Sequence, residues 1–234
     1  VAMRGSTLNV ENVTIKNELT TGGGGYGVML NPSPADTSKL QTNVNLKNLS
    51  INAGAGGVYA HGNIQETDTG KYPVVNLENV TIVATADEGA GLYLAGMTKT
   101  TVTDCEITAT QGLGIGIKAG TLTIKGTSKV CGEGVFHDPS ANGNGINSDG
   151  SALLVENHSG YAGNIQISIE GSAELTSKNG YAVHEFTGGT SNSVPPKIEI
   201  MGGKFVSAKD TTVLIREHTD SNKIITISGG TFNK

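Results

Sequence analysis

Lys118, Glu156, His184 and Arg216 each follow a short apolar run: GIGI (114–117), ALLV (152–155), GYAV (180–183) and TVLI (212–215). Side chains alternate between the two faces of a strand, so aligning these runs sets the four residues in one outward column. Glu185 and Glu217 come one residue later, at the strand exit. Such a row has the parts for removing a proton α to a carboxylate. Lys118 or Arg216 would be the base or the carboxylate clamp, with His184 as a third catalytic candidate. Glu185 and Glu217 are oxygen donors of the kind Ca²⁺ takes, and that ion would stabilise the resulting enolate. The same row also reads as alternating charges on an exposed sheet, forming weak ion pairs worth ~0–1 kcal/mol each.

The outward column nearer the start of the runs reads Met29, Tyr59, Tyr93, Gly116, Leu154, Ala182, Leu214. The second reads Asn31, His61 and Ala95 before it reaches the four charged or basic residues. Tyr59 and Tyr93 fall on adjacent repeats and would present their rings side by side. Exposed, they could pack against a sugar face, with His61, Asn31 and Glu156 supplying hydrogen bonds. The competing reading is a cross-strand aromatic pair that stabilises the sheet by several tenths of a kcal/mol.

Other chemistries lack their residues. GGGG at 22–25 has no following Lys-Ser/Thr and opens no helix, so it is no phosphate cradle. The five histidines show no zinc spacing, and no Gly-x-Ser-x-Gly elbow occurs. Cys105 and Cys131 occupy different columns and read as two free thiols rather than a disulfide. The stretch 132–151 is the longest break between strands, and its Glu133, Asp138 and Asp149 match no Ca²⁺-binding spacing. It reads as a plain loop overhanging the outward columns. A net charge of −5 argues against a nucleic-acid partner, and no apolar run is long enough to insert in a membrane.

A repeat must position all of these residues. NVENVTI (9–15), NLKNLSI (45–51), NLENVTI (76–82) and TVTDCEI (101–107) are variants of one phrase. TIKGTSKV, SIEGSAEL, EIMGGKF and TISGGTF continue it to residue 232. Val10, Leu46, Leu77, Val102, Ile124, Ile169, Ile200 and Ile227 form one inward column. Ile15, Ile51, Ile82, Ile107, Val130, Leu175, Phe205 and Phe232 form another. Between them stands Asn12, Asn48, Asn79, Asp104, Gly126, Gly171, Gly202 or Gly229. These are the residue types that best tolerate a left-handed backbone, so each unit should bend there. The 34 glycines and two-fold alternation leave no room for helices.

With two short strands around a bend and a third after a variable loop, the chain resembles the right-handed parallel β-helix superfamily. That superfamily includes pectate lyase-like enzymes and bacterial surface passengers, and the resemblance covers residues 8–232. It implies an all-β fold: a right-handed single-stranded parallel β-helix of about seven to eight coils, with three short strands per coil, near 4.8 Å per coil. Residues 1–234 would be a single domain, cut from a longer surface protein. The resemblance places a polysaccharide groove on the third-strand sheet. It implies an extracellular, adhesin-like module, of a style similar to bacterial cell-surface β-helix repeat proteins, that binds polysaccharide or host-surface glycan and needs no cofactor. The alternative is a polysaccharide lyase, or a glycosidase, acting on uronate-containing polysaccharide, with Ca²⁺ as its possible cofactor. NSDG (147–150) is similar to the Asn-Thr-Asp-Gly of polygalacturonase-type glycosidases, but the rest of that pattern is missing.

Overall fold

Six of the eight phrases fold as two strands flanking a left-handed residue, and a third strand follows in the first seven units. The computed structural model describes residues 6–20, 25–30, 42–140, 145–158, 160–161, 165–186, 194–215 and 225–234. The first unit holds β1 (Thr7–Glu11), β2 (Thr14–Asn17) and β3 (Tyr26–Leu30). In the next two units the phrase runs as one eleven-residue strand. These are β4 (Asn43–Ala53) with β5 (Gly56–Ala60), and β6 (Val74–Ala84) with β7 (Ala90–Leu94). Three strands per unit return with β8 (Lys99–Thr103), β9 (Glu106–Ala109) and β10 (Leu113–Ile117), then β11 (Thr121–Lys125), β12 (Lys129–Gly132) and β13 (Leu153–Glu156). They continue with β14 (Gln166–Ile169), β15 (Glu174–Ser177) and β16 (Val183–Phe186), then β17 (Lys197–Ile200), β18 (Lys204–Val206) and β19 (Val213–Leu214). The last pair is β20 (Ile225–Ile227) and β21 (Thr231–Asn233).

The fold is all-β. Every strand pairs in parallel with the corresponding strand of the neighbouring unit, making one 14-stranded sheet from the phrases and one 7-stranded sheet from the third strands. Both inward columns are in register throughout, from Val10↔Leu46 to Ile200↔Ile227 and from Ile15↔Ile51 to Phe205↔Phe232. Except at Ile227 and Phe232, which are exposed, they contribute to a hydrophobic core between the sheets. The glycines opening the third strands mark how closely the sheets approach. A Cβ on Gly57 would lie 2.1 Å from Cγ2 of Ile82, and one on Gly91 would lie 2.3 Å from Cγ2 of Ile107. Among the described residues no helix is long and apolar enough to cross a membrane.

The bends fall where the residue types require them: φ is positive at Asn12, Asn48, Asn79, Asp104, Gly126 and Gly171. In the last two units it is positive one residue later, at Gly203 and Gly230 rather than Gly202 and Gly229, because a Gly-Gly pair leaves the backbone free to choose. The asparagines add a ladder. The Asn79 amide donates to Asn48 (2.8 Å) and the Asn48 amide to Asn12 (3.2 Å), and Asn76, Asn45 and Asn9 form a second row.

One register differs from expectation. His184 pairs with Leu154 and Leu214, not with Glu156, and Phe186 takes the place beside Glu156. The strand is Val183–Phe186 rather than 180–183, so Glu185 lies within it and pairs with the inward Val155. A carboxylate in an inward column breaks the apolar pattern that would have revealed the true alignment. GYAV mimics the pattern two residues too early.

Candidate functional site

The outward face of the 7-stranded sheet is not an open plain. Most of the predicted columns are buried, among them Tyr93, Ala95, Lys118, Leu154, Glu156 and His184. Met29, Tyr59, Tyr93, Gly116 and Leu154 do align in one row. The Tyr59 and Tyr93 rings sit 5.4 Å apart and tilted by 45°, and Tyr26 extends the row at 5.2 Å from Tyr59. Tyr93 is buried, and its hydroxyl donates to the carbonyl of Gly145. Tyr26 and Tyr59 remain half-buried. Burial raises all three phenols above their ordinary range, so they are hydrogen-bond donors at neutral pH.

These rings floor a groove of about 460 Å³. Thr20, Met29 and Ala55 complete the floor, Tyr93, Gly145 and Ile146 close one side, and the Asp87–Glu88 turn makes a rim. Both rim carboxylates are exposed. Glu88 holds a left-handed backbone (φ 55°), an uncommon state for a long side chain, and its N–H donates to the carbonyl of Gln111. Alternation would place Tyr26 on the face of Val28, so strand pattern alone gives no signal for its membership of the row. His61 is half-buried with its ring 6.0 Å from Tyr59. Its Nδ1 is buried without a hydrogen bond among the described residues, and burial lowers its pKa.

Lys118 and Glu156 form an ion pair at 3.1 Å with side chains only 2% and 3% exposed. The exposed charge row of the sequence is here a buried pair. Desolvation lowers the Lys118 pKa, and the Glu156 carboxylate partly offsets it. Tyr93, Leu113, Ile146, Asn147 and Leu154 enclose the pair around a void of about 10 Å³.

The 132–151 loop is more than an overhang. Asp149 is fully buried and accepts hydrogen bonds from the Ser151 N–H (2.9 Å) and the Ser151 hydroxyl (2.8 Å). Its other strong partner is Nδ1 of His184 at 2.6 Å. His184 lines a cleft of about 470 Å³ with Asp138, Pro139, Glu185, Phe186, Leu214 and Ile215. Sequence reasoning weighed Asp149 within NSDG and read a plain loop, with nothing to link it to His184.

Of the remaining candidates, Asn31, Arg216 and Glu217 lie outside the described residues. Glu185 is buried within β16, and among the described residues no three His, Cys, Asp or Glu side chains are grouped to hold a metal ion. Cys105 and Cys131 are free thiols, each with its pKa raised by burial, Cys131 to about 11. Comparison with protein-family models, with curated proteins and with solved structures returned no match to this chain.

Proposed function

We propose that this chain is an extracellular surface module built as a right-handed single-stranded parallel β-helix, and that it binds glycan in the groove over Tyr26 and Tyr59. The observation that carries this reading is the groove itself. It joins half-buried aromatic rings to a rim of hydrogen-bonding carboxylates in a volume suited to a few sugar rings. Sugar C–H faces pack on aromatic rings, while Asp87 and Glu88 accept from hydroxyls. The carboxylate rim disfavours uronates and favours neutral or amino sugars, because like charges repel across a shared site.

Affinity-gel retardation on a panel of neutral, amino and acidic polysaccharides tests the proposal. Wild type should be retarded by a neutral or amino polysaccharide, and Tyr59→Ala with Glu88→Gln should weaken retention at least ~5-fold, the loss of about 1 kcal/mol. Equal retention by wild type and variant, or no retention on any gel, overturns it.

A further inference from the structure

A second site lies away from the tyrosine groove and stands whether or not that groove binds glycan. We propose that His184, held by Asp149, is a general base that hydrolyses neutral acyl esters in the cleft formed by β16, β19 and the Asp138–Pro139 segment.

The geometry begins with Asp149. Its carboxylate is removed from water, and three hydrogen bonds from Ser151 and His184 fix its orientation. A buried carboxylate accepting from Nδ1 sets the imidazole tautomer and leaves Nε2 as the working nitrogen. Nε2 has no hydrogen-bond partner among the described residues, and the ring lines the cleft although the residue is only 6% exposed. The Tyr181 ring packs 5.0 Å from the imidazole and restricts its tilt. Phe136 supports Tyr181 from behind, with the Lys209 ammonium on the far ring. Such a base, held by Asp149 and Tyr181 at the wall of a cleft, fits acid–base work better than stability alone, which would favour an apolar pair.

The order of groups identifies the nucleophile. Ser151 donates its hydroxyl proton to Asp149 rather than to His184, so the carboxylate stands between serine and imidazole. Ser151 therefore cannot be the attacking group, and water must be. Nε2 of His184 takes a proton from water as the water oxygen bonds to the ester carbonyl carbon. The carbon–alkoxy bond then breaks, and the imidazolium returns the proton to the leaving oxygen, giving one acid and one alcohol. The cleft supplies the substrate class. Pro139, Phe186, Leu214 and Ile215 offer apolar walls for an acyl chain. Asp138 and Glu185 are among the residues lining the cleft, Asp149 holds His184 from behind, and no Lys or Arg lines the cleft among the described residues. A neutral ester is thus favoured over an anionic one.

The test uses p-nitrophenyl butyrate as the neutral probe and mono-p-nitrophenyl succinate as the anionic one. Wild type should hydrolyse the butyrate above buffer and the succinate far more slowly. His184→Gln should fall to the buffer rate with an unchanged melting temperature, while His158→Gln should keep the wild-type rate. Asp149→Asn should lose on the order of 10²-fold in kcat with KM little changed, because the imidazole is no longer held in its working tautomer. A merely structural role for Asp149 would lower the melting temperature and leave the kcat of the folded protein unchanged. A wild-type rate equal to buffer, or a rate that survives His184→Gln, or one that falls as much with His158→Gln, overturns the proposal.

Discussion

At the scale of residues, the decisive fact is that charge has been taken inside. Lys118 and Glu156 stand in their predicted positions, yet loops remove both from water. Removing one partner leaves the other charged in a site without solvent, a loss of about 3–5 kcal/mol, whereas removing both leaves a site that apolar groups can fill. Lys118→Met should therefore destabilise strongly, and Lys118→Met with Glu156→Met should recover most of the loss in urea denaturation. A double variant no better than the single would show that the pair is not the coupled unit described. His184 and Asp149 make the same point from another direction. The imidazole was visible in the sequence as a candidate, but its partner was not, because nothing in NSDG distinguishes a buried carboxylate from an exposed turn.

At the scale of elements, two kinds of ladder set the geometry. The left-handed bend costs an ordinary residue about 1–2 kcal/mol, which glycine avoids and asparagine tolerates. Asn48 also bridges Asn12 and Asn79 through its amide. Asn48→Ala should cost ~1–3 kcal/mol through both effects, and Asn48→Gly about 1 kcal/mol through the lost amide bonds alone. Chemical denaturation orders the two, and a glycine variant weaker than the alanine variant would refute the backbone argument. The tyrosine row gives a pH dependence. Burial raises the phenols of Tyr26, Tyr59, Tyr93 and Tyr181, and that of Tyr161 to about 12. Folded-state values above the unfolded 10.0 mean the native state holds these protons longer. The associated stability is complete below pH 10 and is lost as pH rises through the folded values. Tyrosinate absorbance near 295 nm should lag in native protein relative to urea-unfolded protein, with the gap closing when alkali unfolds the chain. Coincident curves would contradict the burial of the row.

At the scale of the molecule, contacts run almost entirely between neighbouring units, so stability is a sum of unit and interface terms. The last strands, β20 and β21, each pair on one side, and Ile227 and Phe232 are 51% and 38% exposed. Central strands pair on both sides over buried aliphatic columns. Amide hydrogen exchange should therefore be fastest over 225–233 and slowest over β6 to β12, with a gradient between. Uniform protection along the chain would mean global unfolding dominates everywhere and would remove this picture.

By itself the sequence determined the stack: the two inward columns, the bends at Asn12, Asn48, Asn79 and Asp104, and the parallel pairing of unit on unit. Those features are local and repeated, so each unit states the same steric and hydrophobic preference and the copies confirm one another. It also identified Tyr59 and Tyr93 as neighbours, since a strand position carries its register. Only the tertiary structure decided which outward positions see water. The segments between strands have no period, so nothing in the repeat says that Ile146 and Asn147 enclose the Lys118–Glu156 pair, that Gly145 meets the Tyr93 hydroxyl, or that Asp149 reaches His184. The slipped register of β16 follows the same rule, because a buried carboxylate at Glu185 obeys its three-dimensional surroundings rather than the alternation of its strand.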